Sequence, residues 1–336
     1  MKAVAFRRNL PITDAESLLD ISAPDPAPPL AHDLLVRVQA VSVNPVDTKV
    51  RRTSPPAAGE AKIIGWDAAG IVESVGAQAT KFKPGDKVWY AGDITRPGSN
   101  AELQLVDERL VGRMPATLDF AAAAALPLTA ITAWELLFDR LGVGAQTEGA
   151  LLIVGAAGGV GSILAQLARQ LTKLTVIGTA SRPATRAWVE QLGAHHVVDH
   201  RRPLAAELRR IGIPAVTHVA SLTQTESHYA QLVEALAPQG RLGLIDDLAN
   251  GLDVRVLKPK SLSLHWEMMF TRSRFSTPDM AAQGVLLERV AALIDEGRLR
   301  STLGENFGRI TAANLKRAHA LIESGAAQGK VVLEGF

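Results

Sequence analysis

The 336 residues include no cysteine. That absence excludes disulfides, iron–sulfur clusters, a thiol nucleophile and every cysteine-ligated zinc site. Blocks of like charge are also missing: 36 Lys and Arg stand against 34 Asp and Glu, a formal charge of +2. The doublets Arg51-Arg52, Arg201-Arg202 and Arg209-Arg210 are isolated and read as solvated surface, so nucleic acid is not implied. No apolar run approaches the ~18–20 residues of a membrane span. The longest, residues 120–128, is interrupted by Pro127. No signal-peptide core follows the initial methionine, and no internal repeat is evident. A cytoplasmic protein is the expectation. What is present is 47% hydrophobic and 21% charged, enough to bury sizeable cores. At roughly 100–200 residues per domain, the chain should form about two domains.

The first third reads as β-rich. Short β-branched runs at residues 2–7, 34–43, 71–75 and 87–90 are separated by turn punctuation such as Pro24-Asp25-Pro26 and Lys83-Pro84-Gly85-Asp86. Many short strands with Gly/Pro turns suggest a barrel-like β domain. Beyond residue 119 the character changes. Helix-compatible segments at 121–126 and 130–138 lead to an alternation of strands (the apolar 151–154 and 174–178, then 197–198, 216–220 and 242–245) and helices (162–171, 186–192). That is the rhythm of a doubly wound parallel sheet. Helices at 284–296 and 315–323 and a strand at 330–333 complete the reading.

The strongest chemical signal is the strand Leu151-Leu152-Ile153-Val154 running into Gly155-Ala156-Ala157-Gly158-Gly159-Val160-Gly161 and then a helix. Small residues let the backbone approach a pyrophosphate, and the helix start favours its negative charge. Ala157, Gly158, Gly159 and Val160 are therefore candidate cofactor contacts. A dinucleotide site with NAD preference carries an acid about 20 residues on. This chain instead has Ser181 and Arg182, with Arg186 four residues later. A guanidinium grips the 2′-phosphate of NADP, so NADPH is favoured over NADH; the competing reading is ordinary surface arginine. His200, after the strand at 197–198, is a candidate adenine or phosphate contact. Ile245 lies where a strand of such a sheet ends and ligands bind.

With these parts in order, the chain resembles the medium-chain dehydrogenase/reductase superfamily, in its zinc-lacking quinone oxidoreductase-like branch. The nearest subgroup is often labelled zinc-type alcohol dehydrogenase-like. The resemblance rests on Asn44-Pro45-Val46-Asp47, Gly65-Trp66-Asp67-Ala68-Ala69-Gly70-Ile71-Val72, Pro84-Gly85-Asp86-Lys87-Val88, Pro127-Leu128-Thr129-Ala130 with Thr132-Ala133-Trp134, the glycine turn and Gly329-Lys330-Val331-Val332. It implies an α/β protein with a GroES-like β-barrel N-terminal domain and a Rossmann doubly wound parallel sheet. The boundaries expected are 1–125, completed by about 295–336, and 126–294 for the NADPH-binding domain. By the same resemblance Asn44 and Thr129 lie near the nicotinamide, and a homodimer is expected.

The departure from the family is as informative. Zinc-dependent members carry Gly-His-Glu where this chain has Gly65-Trp66-Asp67, and cysteine ligands besides. Indole does not ligate a metal, and the eight histidines show no metal-binding spacing, so no zinc is expected. Without a Lewis acid, the acceptors left are those whose own conjugation spreads the developing charge, quinones and α,β-unsaturated carbonyls. Asn44, Asp47 and Trp66 are the candidate catalytic or pocket residues. For Asn44 and Asp47 the competing role is capping a turn; for Trp66 it is core packing. The stretch 263–270, rich in aromatics and Met, reads as a cleft wall or dimer surface. The alternatives kept are a non-catalytic NADPH-binding redox sensor or structural protein, whose cleft Trp66 and Trp266 would close, and an alcohol dehydrogenase with an unconventional metal.

Overall fold

The computed structural model describes residues 1–336. The chain forms two compact units, Met1–Ile131 with Phe270–Phe336, and Thr132–Met269.

In the second unit the apolar runs become strands because both of their faces are covered. All five residues of Ala150–Val154 are buried, as a parallel strand between two helix layers requires. Six parallel strands lie in the order His196–Val198, Thr175–Thr179, Ala150–Val154, Val216–Ser221, Leu236–Leu244, Ser263–Trp266. This is the doubly wound order in which the direction of winding reverses beside the first strand. Helices Gly159–Leu171, Pro183–Gln191, Leu204–Arg210 and Thr225–Ala235 connect the strands. Leu152, Val154, Ile177, Val198, Val219, Leu232, Leu242 and Leu244 are among its core residues. The aromatic stretch at 263–270 supplies the edge strand Ser263–Trp266, with Trp266 49% and Met268 46% exposed.

The first unit is built on a seven-stranded sheet. Along it run Leu303–Asn306, Lys330–Glu334, Asp33–Val43, Ala68–Val75, Lys87–Tyr90 and Val111–Arg113, and Leu103–Asp107 also pairs with Asp33–Val43. A three-stranded sheet of Leu19–Ser22, Lys2–Phe6 and Lys62–Ile63 joins it through the bridge Ala3–Ala101. In the register that matters below, Val331 opposes Val43 and Val332 opposes Ser42.

Three findings differ from the sequence reading. Residues 270–294 pack in the first unit, not with Thr132–Met269. Helix Ala282–Asp295 lies so close to strand Val111–Arg113 that a Cβ on Gly284 would stand 2.8 Å from the Val111 carbonyl. Glu288 and Asp295 of this helix accept the N–H groups of Arg113, Ala116 and Thr117. Arg51, read as solvated surface, is fully buried and bonds the Leu10 carbonyl and Glu323. Finally, Phe120–Arg140 is long and apolar enough to cross a membrane, because Pro127 opens a helix (Pro127–Trp134) instead of ending the run. Of its apolar window, 83% is buried inside the protein, as in a core helix.

Candidate functional site

In the first unit the polar residues of the Asn-Pro-x-Asp segment turn inward. Strand Asp33–Val43 ends at Asn44, and Pro45, with its fixed φ, opens helix Pro45–Thr53. Asp47 sits in the first turn of that helix, where its Oδ2 accepts the Asn44 N–H at 2.5 Å. This satisfies a donor the helix start leaves open. Because Val331 opposes Val43, Lys330 arrives beside Asn44. Its ammonium donates to the Val43 carbonyl at 3.1 Å, to Asn44 Oδ1 at 2.5 Å and to Asp67 Oδ2 at 3.0 Å. Asp67 Oδ2 also accepts from Ser42 Oγ and Asn44 Nδ2, both at 2.8 Å, while its Oδ1 accepts the Leu128 N–H at 2.8 Å. Asn44, Asp47, Asp67 and Lys330 are each at most 3% exposed. Removing one member of such a buried ion pair costs about 3–5 kcal/mol, since the other charge is left uncompensated. Asp47 Oδ1 has no hydrogen-bond partner. Burial pushes the Asp47 carboxyl up to about 7, against the opposing pull of the Asn44 N–H and Lys330 and with a push from Asp67.

Thr129 lies one residue beyond the Leu128 amide, 2% exposed, with its hydroxyl on the Leu126 carbonyl. Trp66 is 1% exposed; its indole N–H donates to the Asp93 carbonyl at 3.2 Å and its ring meets Phe270 edge-on at 6.1 Å. The ring is therefore core, the competing role weighed from sequence. Trp266 stands half-exposed on the edge strand of the other unit.

In the second unit the chain leaves strand Ala150–Val154 through Gly155, whose φ of +81° suits glycine. Gly158 stands extended before helix Gly159–Leu171, and the Ser162 N–H closes back on its carbonyl. The N–H groups of Gly159, Val160 and Gly161 precede that bond and lie at the positive end of the helix. A Cβ on Gly161 would stand 2.5 Å from the Gly155 carbonyl oxygen, so only glycine lets the helix start so close to the turn. Ala157, Gly158, Gly159 and Val160 are partly exposed, and a Cβ on Gly158 would meet only the Gly155 carbonyl. The turn thus offers an open backbone surface of the kind a pyrophosphate needs.

After strand Thr175–Thr179, Ser181 is partly exposed and Arg182 exposed at the start of helix Pro183–Gln191. Arg186 donates to the Val197 carbonyl at 3.1 Å. Arg201 donates to the Ser181 carbonyl at 3.0 Å and grips Asp199 with the same guanidinium. That contact holds the Asp199 carboxyl well below the usual carboxylate range. His200 lies edge-on to His228 at 6.0 Å. Ile245 is partly exposed just past strand Leu236–Leu244, and the next residue, Asp246, accepts the Thr225 N–H at 3.0 Å. A second buried polar group joins Arg140 of the π-helical turn Glu135–Arg140 to Glu267, at 2.8 Å. Burial and the neighbouring Glu135 push the Glu267 carboxyl upward.

Two family models match this chain, the alcohol dehydrogenase GroES-like domain over residues 30–116 and the zinc-binding dehydrogenase over residues 192–333. A zinc-type alcohol dehydrogenase-like protein of Staphylococcus aureus is 37% identical over 99% of both chains. A quinone oxidoreductase of Pseudomonas aeruginosa is 30% identical, over 92% of this chain and 93% of that one. The chain belongs to the medium-chain dehydrogenase/reductase superfamily, in its quinone oxidoreductase-like branch. A solved structure from Rhizobium etli CFN 42, named as a candidate zinc-dependent alcohol dehydrogenase, is 59% identical, with a TM-score of 0.95 over 100% of this chain and 98% of that one.

The superfamily name raises the question of zinc, and the donor set of this member does not fit it. No group of three or more His, Asp or Glu side chains converges anywhere in the chain. At the Gly65-Trp66-Asp67 position, the indole has no lone pair to give. The Asp67 oxygens already hold four hydrogen bonds, one of them from the ammonium of Lys330. Sequence reasoning used Lys330 only as part of a motif and did not place it beside Asn44 and Asp67, although one signal was visible: a lysine inside the apolar strand Lys330–Glu334. Lysine is seldom buried without a partner.

Proposed function

We propose that the protein is an NADPH-dependent reductase that transfers hydride to quinones or α,β-unsaturated carbonyls without a metal. The observation that carries the reading is the donor set at Gly65-Trp66-Asp67: an indole stands where zinc-dependent members carry histidine, and Asp67 is saturated by Lys330, Asn44, Ser42 and the Leu128 amide. The similarity to a Pseudomonas quinone oxidoreductase supports it.

The residues fit a nicotinamide dinucleotide. Ala157, Gly158, Gly159 and Val160 would hold the pyrophosphate, at a turn where the Gly158 position has only the Gly155 carbonyl beside it. Ser181, Arg182 and Arg186 would take the 2′-phosphate, and His200 and Ile245 would flank the adenosine half. Asn44 and Thr129 would serve the nicotinamide end. NADPH, when bound, supplies the hydride. An acceptor whose conjugation spreads negative charge needs from the protein only orientation and a hydrogen-bond donor at its oxygen. The open edge strand Ser263–Trp266, with exposed Trp266 and Met268, supports a homodimer.

The test is NADPH oxidation by chelator-treated protein across a panel of quinones and enones. Turnover by the metal-free protein is expected. No turnover with any acceptor, or turnover only after zinc is added, refutes the proposal. Light scattering should give the mass of two chains.

A further inference from the structure

We propose that the Lys330–Asp67 pair is a positioning device that fixes the Asn44 amide so that it presents only N–H, never its carbonyl, to a substrate oxygen. The inference rests on the reductase reading above and deepens it, naming the chemical character of the group the site receives.

The argument is one of donors and acceptors. Lysine has three donors and no acceptor; a carboxylate has acceptors only. Lys330 Nζ lies 2.5 Å from one end of the Asn44 amide, and Asp67 Oδ2 lies 2.8 Å from the other. The first contact demands Oδ1 and the second demands Nδ2. Turning the amide over would set its NH2 against an ammonium and its carbonyl against a carboxylate. Two charge-assisted hydrogen bonds would become two repulsions. The orientation therefore follows from the partners' chemistry.

The pair is itself held fast. All three ammonium hydrogens have acceptors, in Val43, Asn44 and Asp67. Asp67 is anchored from a strand by Ser42 and from a helix by Leu128. Lys330 thus has no hydrogen left to give a substrate and acts only through Asn44. One Nδ2 hydrogen of Asn44 is spent on Asp67, and the second carries none of these bonds. What Asn44 offers is a polarised N–H beside a buried cation. That group stabilises an oxygen gaining negative charge, as a carbonyl or quinone oxygen does on reduction. It does not take the proton from an alcohol.

The experiment compares wild type, Lys330→Met and the charge-neutral double variant Lys330→Met/Asp67→Asn, which removes the amide's fixed partners without leaving a buried charge. Should Lys330→Met fail to fold, the double variant decides alone. Asparagine-labelled protein, with the Asn44 side-chain amide identified by its loss in Asn44→Ala, reports hydrogen exchange at that amide. Slow exchange in wild type and fast exchange in the double variant are expected. With a quinone acceptor, kcat should fall ~10–100-fold while NADPH affinity by fluorescence changes less than about twofold. Unchanged amide exchange, or kcat within about twofold of wild type in a folded variant, overturns the inference. If wild type reduces no acceptor, the function proposed above fails. The amide exchange then judges the positioning device by itself.

Discussion

Asp47→Asn should remove a pH dependence that the wild-type fold carries. In the folded protein the Asp47 carboxyl is 1% exposed, one oxygen has no partner, and burial pushes its pKa up to about 7. In the unfolded chain it returns to an ordinary value of about 4. Between those two values the native state holds a proton that the unfolded state has lost. Stability from this group is thus complete at low pH and falls as pH rises, by about 1.4 kcal/mol per unit, until the native carboxyl also ionises. From pH 5 to pH 8 the loss amounts to about 3 kcal/mol. Asparagine keeps the shape and still accepts the Asn44 N–H through Oδ1, but has nothing to ionise. At about 2–4 °C per kcal/mol for a unit of this size, the melting temperature of the variant minus that of wild type should rise by about 6–12 °C between pH 5 and pH 8. Differential scanning calorimetry in buffers of matched ionic strength measures this directly. A difference that stays constant across the range would show that Asp47 ionises normally in the fold, and the reading of the cluster would be wrong.

Other outcomes follow from the same geometry. Gly161→Val should abolish measurable NADPH binding by fluorescence titration, because its Cβ would stand 2.5 Å from the Gly155 carbonyl and the turn must open. Unaltered affinity would refute the close approach of helix and turn. Arg182→Ala should weaken NADPH by ~10–100-fold and NADH by little; equal effects on both cofactors would remove the 2′-phosphate from this position. Trp66→Ala should cost about 3–5 kcal/mol of stability, as for a buried aromatic, in chemical denaturation. A near-neutral effect would place the ring in a pocket instead. Glu267→Gln should make the melting temperature fall less between neutral and alkaline pH than in wild type. Its carboxyl is pushed upward by burial and Glu135, so the native state keeps that proton while the unfolded chain loses it. Parallel curves would contradict that.

The sequence carried the architecture where burial leaves a one-dimensional mark. The run 151–154 is apolar throughout because both faces of a parallel strand are covered. The glycine turn was legible for the same kind of reason, since backbone approach admits no side chains. The Asn-Pro-x-Asp segment was legible as polar and special, but its proline was ambiguous between a turn and a helix start, and the helix Pro45–Thr53 went unread. Lys330 meets Asn44 and Asp67 across 286 and 263 residues of chain, a contact that no local spacing encodes. Nor does periodicity say which body an amphipathic helix packs on. Gly284, which lets Ala282–Asp295 settle on the first unit, reads in sequence only as a weak helix former.

The pairing of Val43 with Val331 has a consequence for the order in which the protein is made. Everything the second unit needs lies in one uninterrupted stretch, Thr132–Met269, which leaves the ribosome before Lys330 has been added. At about 5–20 residues per second, strand Asp33–Val43 waits roughly 15–60 s for its partner. During that interval its sheet is incomplete on one side, and Asn44 and Asp67 lack their cation. The unit begun first during translation is therefore finished last. Slow synthesis through Thr132–Met269 should prolong the exposure of that bare edge and raise the demand for chaperones, while leaving the finished protein unaltered.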